Sequence, residues 1–549
     1  MSIPDIESMT LREKIAQLLI VRQSDLIMDS STAYSKFRDP SEAKELCEKY
    51  QFGGIWLHGN LEINHFNKLY TDNISYDCKE LMDWYANIRE NVKIPMIAAN
   101  DAWGVGTCRD LSTYPKGLAV GASSNKDAAF ELGRAIGMEM SCCGTDWIWS
   151  PIADKHDRRA SVIVRQYSNY TDDIIRCATG YMKGLQSVNV AATVKHFPGA
   201  DPSENRDSHI VTTGIKMSKE EWWKDQGRIF QSIIDAGVDS VMVGAKAFPA
   251  MDSTKVRGRY ISAGLSYKMI TELLKEEMGF DGVVITDDVN MGGFTSFYNG
   301  GRLYAEFIKA GNDMLLGVGV DAVDLLEEEV KKGTVSEARI DDAVARVLKL
   351  KEKLGLFERG YRKPEWSVAD AVNYTTNMAK KLATTSATLV RDREGVLPFD
   401  KNKIKKVTII CHTHLDSIMD DLKVMKKEFE AHGAEVTLRR KLEDYEDAKR
   451  VADSSDLIVY AGYLGFHAPK GAPSFYGDEF WAFQRALIYG VEKSVGVSLG
   501  YPHIHYDYLD DANVFVNLYS PAPEMQKAFV KGLYGETEFI GKSPVDLDE

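Results

Sequence analysis

Short runs of apolar residues recur along the first 320 residues of the chain, and segments with a helical spacing of apolar residues lie between them. The runs are Gly54–His58, Pro95–Asp101, Trp147–Asp154, Val190–His196, Val238–Gly244, Gly282–Asp287 and Asp313–Gly317. Near-continuous apolar strands that alternate with helices are typical of parallel sheets covered on both faces. Seven or eight such units over about 350 residues predict an α/β fold, a (β/α)₈ TIM-like barrel with insertions.

A helical pattern over residues 335–354 closes the predicted barrel, and Thr334 with Glu337 forms a predicted capping box at its start. The segment Phe357–Trp366 is polar and contains a glycine and a proline, which indicates a linker. A second series of strands follows. Its members are Lys406–Cys411, Ala434–Leu438, Leu457–Ala461, Val495–Leu499 and Val514–Leu518. We expect a catalytic barrel domain over 1–360, a linker over 361–375 and a smaller Rossmann-like, three-layer α/β domain over 376–549.

The composition is that of a globular protein, with 44% hydrophobic and 27% charged residues and a mean hydropathy of −0.27. The net charge of −14 argues against a nucleic-acid or anionic-membrane partner. The first residues lack the basic and apolar regions of a secretory signal, so we expect a cytoplasmic protein. The seven cysteines are scattered, which is typical of reduced thiols and not of a disulfide framework or a zinc site.

Most of the predicted strands end in Asp or His, and two of them carry a combination of ionisable residues. The first carries Lys195 and His196 at its end, with Asp207 and His209 on the following loop, and the second ends in Asp287. Chemistry in such barrels takes place at the carboxyl ends of the strands. An imidazole oriented by a carboxylate, together with a separate carboxylate, is a set that supplies a general acid/base and a nucleophile. The pattern therefore predicts an enzyme.

Structural roles for the same residues stay open at this point. Asp287 could cap the next helix, and Asp207-Ser-His209 could be a solvated turn. On an extended loop, a spacing of two residues places both side chains on one side, so contact between Asp207 and His209 is feasible. Strand alternation puts Asp287 and Asp288 on opposite faces without deciding which one faces a substrate.

The segment Lys195-His-Phe-Pro-Gly199, followed by Asp207-Ser-His209, and the segment Thr286-Asp-Asp-Val-Asn-Met291 resemble glycoside hydrolase family 3, in its β-N-acetylglucosaminidase branch. The resemblance extends from Met9–Leu19 to Gly541–Val545. It implies a nucleophile at Asp287 and an acid/base dyad of Asp207 and His209. The residues that it implies as sugar ligands are Asp101, Arg165, Lys195 and His196, with Asp154 and Met291 as further matched positions.

The resemblance has three departures. The family usually has Asp-Gln-Glu-Gly-Gly where this chain has Asp101-Ala-Trp-Gly-Val-Gly106, and it often has a histidine where this chain has Ala200 and Ala245. These departures fall around the sugar pocket and not on the nucleophile or the dyad. They bear on the choice of substrate more than on the mechanism.

The resemblance implies a retaining exo-glycosidase that removes terminal β-linked N-acetylglucosamine from cell-wall muropeptides or chitin-type oligosaccharides. We expect no cofactor and no metal, a small carbohydrate as substrate, and a monomer or homodimer. One alternative is a phosphorylase, because a histidine donor does not repel an anionic acceptor. The others are a β-glucosidase or β-xylosidase of the same family, and a non-catalytic sugar-binding relic.

Overall fold

The computed structural model describes residues 2–26, 39–57, 76–89, 92–101, 108–155, 163–204, 206–359, 364–413, 418–464, 474–475, 480, 483 and 487–547. His58, at the end of one predicted strand, and residues 361–363 of the predicted linker lie outside this described part. The chain forms two compact units. The first comprises residues 1–112, 130–155 and 178–374, and the second comprises 113–129, 156–177 and 375–549.

The first unit contains a closed barrel of eight parallel strands. The strands are β1 Leu19–Arg22, β2 Gly54–Trp56, β3 Ile97–Asn100, β4 Trp147–Ile148, β5 Ala191–Phe197, β6 Ser240–Val243, β7 Val283–Asp288 and β8 Met314–Val318. Each strand pairs with the next along the chain, and β8 pairs with β1, which confirms the predicted (β/α)₈ barrel. The sequence did not predict β1, because its apolar residues follow the helix Leu11–Gln17 almost without interruption.

One helix precedes β1, and others follow the strands of the barrel. They are Leu11–Gln17, Gln23–Leu26, Pro40–Tyr50, Cys78–Arg89, Lys219–Lys224, Gln226–Asp235, the π-helix Lys268–Glu277, Gly292–Thr295, Gly300–Ala310, Ala322–Lys331, Glu337–Lys353 and Leu356–Arg359. The predicted capping box at Thr334 was wrong: Ser336 caps the helix instead and accepts the Arg339 N–H at 3.3 Å, while Thr334 Oγ1 donates to Glu329. The two hydroxyl residues are two positions apart, so the pattern located the helix start only approximately.

The boundaries of the units differ from the predicted domain limits. Residues 113–129 and 156–177 belong to the second unit although they precede the predicted linker. Residues 368–375 of that linker are helical, within Val368–Ser386. Helices Ala128–Cys142 and Thr171–Gln186 also contain a boundary between units. A local pattern of apolar residues predicts that a segment is buried, but it does not identify the core against which the segment packs.

The second unit contains a six-stranded sheet. Its strands are β9 Thr388–Asp392, β10 Lys406–Thr413, β11 Glu435–Arg439, β12 Leu457–Tyr463, β13 Ser494–Ser498 and β14 Val514–Asn517, in the order β9-β14-β13-β12-β10-β11. All pairs are parallel except β9 with β14. This sheet confirms the smaller α/β domain. The edge strand β9 was not predicted, because only Thr388 of its five residues is buried and Arg391 and Asp392 are charged.

Helices accompany this sheet along the chain. They are Gly117–Ala122, the 3-10 helix Ile163–Arg165, Ile418–Asp421, Lys423–Ala431, Tyr445–Ser454, the 3-10 helix Val491–Lys493, Ile504–Asp507 and Pro523–Leu533. No helix in the described part of either unit combines the length and the apolar character that crossing a bilayer requires.

Three buried aspartates lie at the amino end of the barrel, each directly before an alternate strand. They are Asp146 before β4, Asp239 before β6 and Asp313 before β8. One carboxylate oxygen of each accepts a backbone N–H of the preceding strand at 2.9 Å; the donors are Ala98, Ala192 and Val284. Each aspartate therefore joins two neighbouring strands through its side chain.

A cation from a surrounding helix pairs with each of these carboxylates. The pairs are Asp146 with Arg89, Asp239 with Lys353, and Asp313 with both Lys275 and Arg339. A buried carboxylate without a cation or hydrogen bonds is strongly unfavourable, so the pairs fix helices against strand starts. The amino end of the barrel is thus a structural end, and the opposite end is left for chemistry.

Lys351 lies fully buried in the helix Glu337–Lys353 and donates to Gln17 Oε1 at 2.6 Å. Burial, and after it the nearby Arg89, lowers the pKa of the Lys351 ammonium from 10.5 to about 7. An unfolded chain keeps this lysine protonated up to about pH 10. Between these two pKa values the unfolded state binds more protons than the folded state, so the free energy of unfolding rises with pH.

We predict that Lys351→Met flattens this pH dependence. The wild-type free energy of unfolding should rise between about pH 7 and about pH 10 by a contribution that the variant lacks. Urea unfolding followed by circular dichroism at several pH values measures it. Lys349→Met is the matched control, because Lys349 lies on the same helix with its side chain 70% exposed. Equal slopes for the wild type and Lys351→Met would contradict the assignment.

Candidate active site

The carboxyl ends of the barrel strands bring together five of the residues that the sequence predicts for the site. Lys195 and His196 are in β5, Asp287 is in β7, and Asp101 directly follows β3. Asp154 follows β4 on a segment that pairs with β5 through a bridge between Ile152 and Lys195. Because parallel strands end on the same side, residues far apart in the chain meet here.

Lys195 and Asp101 form an ion pair between Nζ and Oδ1. The lysine side chain is 2% exposed, so its charge requires this partner. The carboxylate of Asp101 is 31% exposed and is therefore accessible from solvent. The pair fixes a carboxylate and an ammonium next to each other at the barrel end, an arrangement that suits the binding of sugar hydroxyls.

Asp154 is buried and holds two partners, one on each oxygen. Oδ2 lies 2.5 Å from His196 Nδ1, and Oδ1 lies 2.7 Å from Lys246 Nζ. Burial lowers the pKa of the His196 imidazole, although Asp154 and Asp287 both oppose the shift. A carboxylate only accepts hydrogen bonds, so Nδ1 carries the proton and the neutral ring keeps Nε2 as an acceptor.

Sequence reasoning missed Lys246. It lies in the short strand Lys246–Ala247, three residues after the end of β6, and its side chain is 10% exposed. A lysine directly after an apolar strand of a predicted barrel was the signal that could have identified it. The ion pair with Asp154 extends the charged network of the site to the segment that follows β6.

The two adjacent aspartates at the end of β7 have different surroundings. Asp288 forms an ion pair with Arg22 at 2.6 Å and accepts the backbone and side-chain N–H groups of Asn290. Among the described residues, the hydrogen bond to the Asp287 carboxylate comes from the Asp288 N–H at 2.9 Å. Asp288 is thus held by structural partners, whereas Asp287 is half-buried and electrostatically coupled to His196.

Asp207 and His209 are in direct contact. Asp207 Oδ1 lies 2.6 Å from His209 Nδ1 and also accepts the backbone N–H of His209 at 2.8 Å. The backbone forms a turn, in which Ile210 N–H donates to Asp207 O, and not the extended loop that we expected. A turn shortens the distance between the two residues, so Asp207, whose side chain is 6% exposed, orients the imidazole while the His209 side chain stays 44% exposed.

The turn that carries the dyad rests on the segment that follows β7. Gly292 N–H donates to His209 O at 2.8 Å, and Gly293 N–H donates to Ser208 O at 3.3 Å. A Cβ atom on Gly292 would lie 2.1 Å from Ile210 O, so only glycine permits this approach. The acid/base candidate and the nucleophile candidate therefore belong to two directly connected backbone segments.

Two predicted ligands occupy other positions. Met291 is buried and begins the short helix Gly292–Thr295, and its N–H donates to Asp288 O at 3.0 Å. Arg165 ends the 3-10 helix Ile163–Arg165 and belongs to the second unit. The roles of both residues in sugar binding stay predictions.

The sequence profile described as the glycosyl hydrolase family 3 N terminal domain matches residues 10–350. The chain belongs to glycosyl hydrolase family 3. It is similar to a beta-N-acetylglucosaminidase/beta-glucosidase of Cellulomonas fimi, with 25% identity over 84% of this chain and 85% of the relative. The family membership makes the protein a glycosidase.

Solved structures show the same fold. Beta-glucoside phosphorylase BglX bound to 2FGlc is 23% identical, with a TM-score of 0.83 over 99% of this chain and 95% of that one. A glycoside hydrolase family 3 beta-N-acetylglucosaminidase from Paenibacillus sp. str. FPU-7 is also 23% identical, with a TM-score of 0.80 over 98% of this chain and 99% of that one.

One departure from the family pattern has a structural context. Ala245, where family members often have a histidine, is fully buried, and a Cβ atom on Gly293 would lie 2.6 Å from the Ala245 Cβ atom. The close approach of the two segments thus requires both a small residue at 245 and a glycine at 293. Ala200 is also buried, and its carbonyl accepts the Gln226 side-chain N–H at 3.2 Å.

We predict that Gly292→Ala impairs proton donation selectively. The added methyl group must displace the Asp207–His209 turn, and a displacement of about 1 Å can cost about 100-fold in rate. Turnover of glycosides with poor leaving groups should fall about 10- to 100-fold, whereas activated aryl glycosides, which need little protonation, should be affected far less. His209→Ala should show the same contrast, more strongly.

Gly214→Ala is the matched control for this prediction. Gly214 follows the same turn, and the nearest atom to an added Cβ lies 3.9 Å away. Steady-state kinetics with both classes of glycoside compare the variants. Equal losses for good and poor leaving groups in Gly292→Ala would show that the turn does not position a proton donor.

Proposed function

We propose that the protein is a retaining exo-β-N-acetylglucosaminidase with a covalent intermediate on Asp287. The observation that carries the proposal is the Asp207–His209 contact of 2.6 Å on a turn bonded to the segment that follows Asp287. A retaining glycosidase needs one carboxylate that attacks the anomeric carbon and one group that protonates the leaving oxygen. Asp287 and His209 are candidates for these two roles.

In the first step the Asp287 carboxylate attacks the anomeric carbon while His209 Nε2 gives its proton to the leaving oxygen. The donor is then the imidazolium, because Nδ1 stays protonated toward Asp207. The carboxylate of Asp207 stabilises this cation and fixes the ring orientation, as an aspartate does in a catalytic triad. The products of the step are the free aglycone and a glycosyl ester of Asp287.

In the second step the neutral His209 ring accepts a proton from a water molecule, whose oxygen attacks the anomeric carbon and breaks the ester. Two displacements at one carbon restore the β configuration in the released sugar. The Lys195–Asp101 and Lys246–Asp154–His196 networks would hold the sugar hydroxyls in place during both steps. Their buried charges are already paired, so they need little rearrangement when a sugar binds.

The choice of N-acetylglucosamine has two supports. The Lys195–Gly199 and Asp207–His209 segments resemble the β-N-acetylglucosaminidase branch of the family. The Cellulomonas fimi relative also bears the name beta-N-acetylglucosaminidase/beta-glucosidase. We infer that muropeptides or chitin-type oligosaccharides inside the cell are the substrates, with a β-glucosidase activity as the alternative.

A phosphorylase is the second candidate, and the chemistry of the donor favours it. A carboxylate donor is negative after it has given up its proton and repels a phosphate ion, whereas an imidazole is then neutral. The accessible position of His209 suits the approach of an anionic acceptor. Phosphate would attack the glycosyl ester in place of water and give a sugar 1-phosphate.

A panel of chromogenic substrates tests the function. We expect the kcat/KM for the N-acetyl-β-glucosaminide to exceed that for the β-glucoside and β-xyloside by at least about 10-fold, since a lost polar contact in a built pocket costs this much. Each reaction is run with and without inorganic phosphate, and the products are separated. Preference for the β-glucoside would overturn the aminosugar assignment, and phosphate-dependent release of a sugar 1-phosphate would select the second candidate.

Asp287→Ala should lower turnover by several orders of magnitude, because the loss of a covalent catalyst costs about this much. A fluorinated slow substrate should label the peptide that contains Asp287, as mass spectrometry would detect. Asp288→Asn is the control. It weakens the ion pair with Arg22, so it should lower the free energy of unfolding clearly and the chemical rate only slightly. Label on Asp288, or near-normal activity of Asp287→Ala, would refute the nucleophile assignment.

A further inference from the structure

Two cysteines and an aspartate that are distant in the chain lie together in the first unit. One ligand atom each of Cys78, Cys108 and Asp110 lies within 4.8 Å of the other two. Both cysteines are 1% exposed, whereas Asp110 is exposed. The group therefore has two thiols in the protein interior and a carboxylate at the surface.

A third thiol lies beside the group. Cys143, which follows the helix Ala128–Cys142 and is fully buried, interacts with Cys108, and its thiol donates to Met140 O at 3.1 Å. It does not belong to the set whose donor atoms all lie within 4.8 Å of one another. The other buried thiols of the first unit, such as Cys47, are not part of this group.

Contacts outside the thiols hold the cluster in position. Asp110 Oδ1 accepts the backbone N–H of Cys78 at 3.0 Å, and Arg109 N–H donates to Tyr76 O at 3.0 Å. The Arg109 guanidinium also pairs with Asp77 at 2.7 Å. The segments that carry Cys78 and Cys108 are therefore joined without help from the sulfur atoms, so the donor atoms are preorganised.

We propose that this cluster of Cys78, Cys108 and Asp110, hereafter the thiol site, binds one Zn²⁺ ion through the two sulfur atoms and a carboxylate oxygen, with water as the fourth ligand. Zinc prefers four ligands in a tetrahedron, with zinc–sulfur distances of about 2.3 Å, which place ligand sulfurs a little under 4 Å apart. The separations of up to 4.8 Å among the three donors are near this geometry. Binding releases the two thiol protons to solvent, and no electron transfer is needed.

The donor set favours zinc over the other common cations. Thiolates are soft ligands that magnesium and calcium avoid, whereas zinc accepts cysteine sulfur and carboxylate oxygen in one site. The ion would cross-link the start of the helix Cys78–Arg89 and the segment over residues 108–110. Its role would be to stabilise the first unit and not to take part in the glycosidase chemistry.

The test measures zinc in the full-length protein, purified under reducing conditions, stripped with a chelator and reloaded with zinc alone. We expect about one tightly bound zinc per chain by mass spectrometry of the metal content. Cobalt in place of zinc should give the intense near-ultraviolet absorption of thiolate-to-metal charge transfer. The melting temperature of the reloaded protein should exceed that of the stripped protein, because a ligand that binds only the folded state stabilises it.

Variants locate the ion. Cys108→Ser should lose the bound zinc and the cobalt absorption, while Cys47→Ser, another buried cysteine of the first unit, should keep both. If Cys108→Ser does not fold, the wild-type cobalt spectrum and zinc stoichiometry still decide the matter. Wild-type protein that binds no zinc and shows no cobalt–thiolate absorption, or that contains a disulfide between Cys78 and Cys108, would overturn the proposal.

Discussion

The architecture depends on how the barrel neutralises its buried carboxylates. At the amino end, Asp146, Asp239 and Asp313 each accept a strand N–H at 2.9 Å and pair with a helix cation. A buried carboxylate of this kind is unfavourable without both partners. Each aspartate therefore links the start of its own strand, the neighbouring strand and an outer helix. The repetition before β4, β6 and β8 fixes the register of alternate strands, and the carboxyl end can then carry charges selected for binding and chemistry.

At the carboxyl end of the barrel the buried charges are also paired, but some polar groups beside them are only half-buried. Lys195, Asp154 and Lys246 are buried and paired, as at the other end. Asp101 pairs with Lys195, and His196 pairs with Asp154. These two residues and Asp287 are half-buried, so each keeps a polar group nearer to solvent than the buried charges. The paired charges thus act as a fixed frame for the groups that would meet a substrate. Preorganised charges of this kind favour catalysis, since they do not have to reorient during the reaction.

The sequence predicted most of the fold, and five of the predicted site residues lie together at the carboxyl end of the barrel. Seven barrel strands and five strands of the second sheet matched apolar runs, because buried parallel strands leave a strong local signal. The missing strands β1 and β9 lack that signal, since one merges with a helix and the other is a half-exposed edge. Lys246 was missed because only tertiary structure identifies its partner, Asp154. The limits of the two units differ from the predicted domain limits for a similar reason, since the burial of a segment does not identify the core against which it packs.

The thiol site shows the same limit in its strongest form. Cys78 and Cys108 are 30 positions apart, so no local spacing of cysteines suggests a common ligand. Zinc motifs are recognised in sequences because pairs of cysteine or histidine ligands usually lie on one turn. Here the two cysteines come from separate segments, and only the folded first unit brings them together. A cluster of this kind can therefore lie in a chain whose cysteine spacing is typical of free thiols. It can be recognised only in the folded structure, where the strands fix the positions of the segments between them.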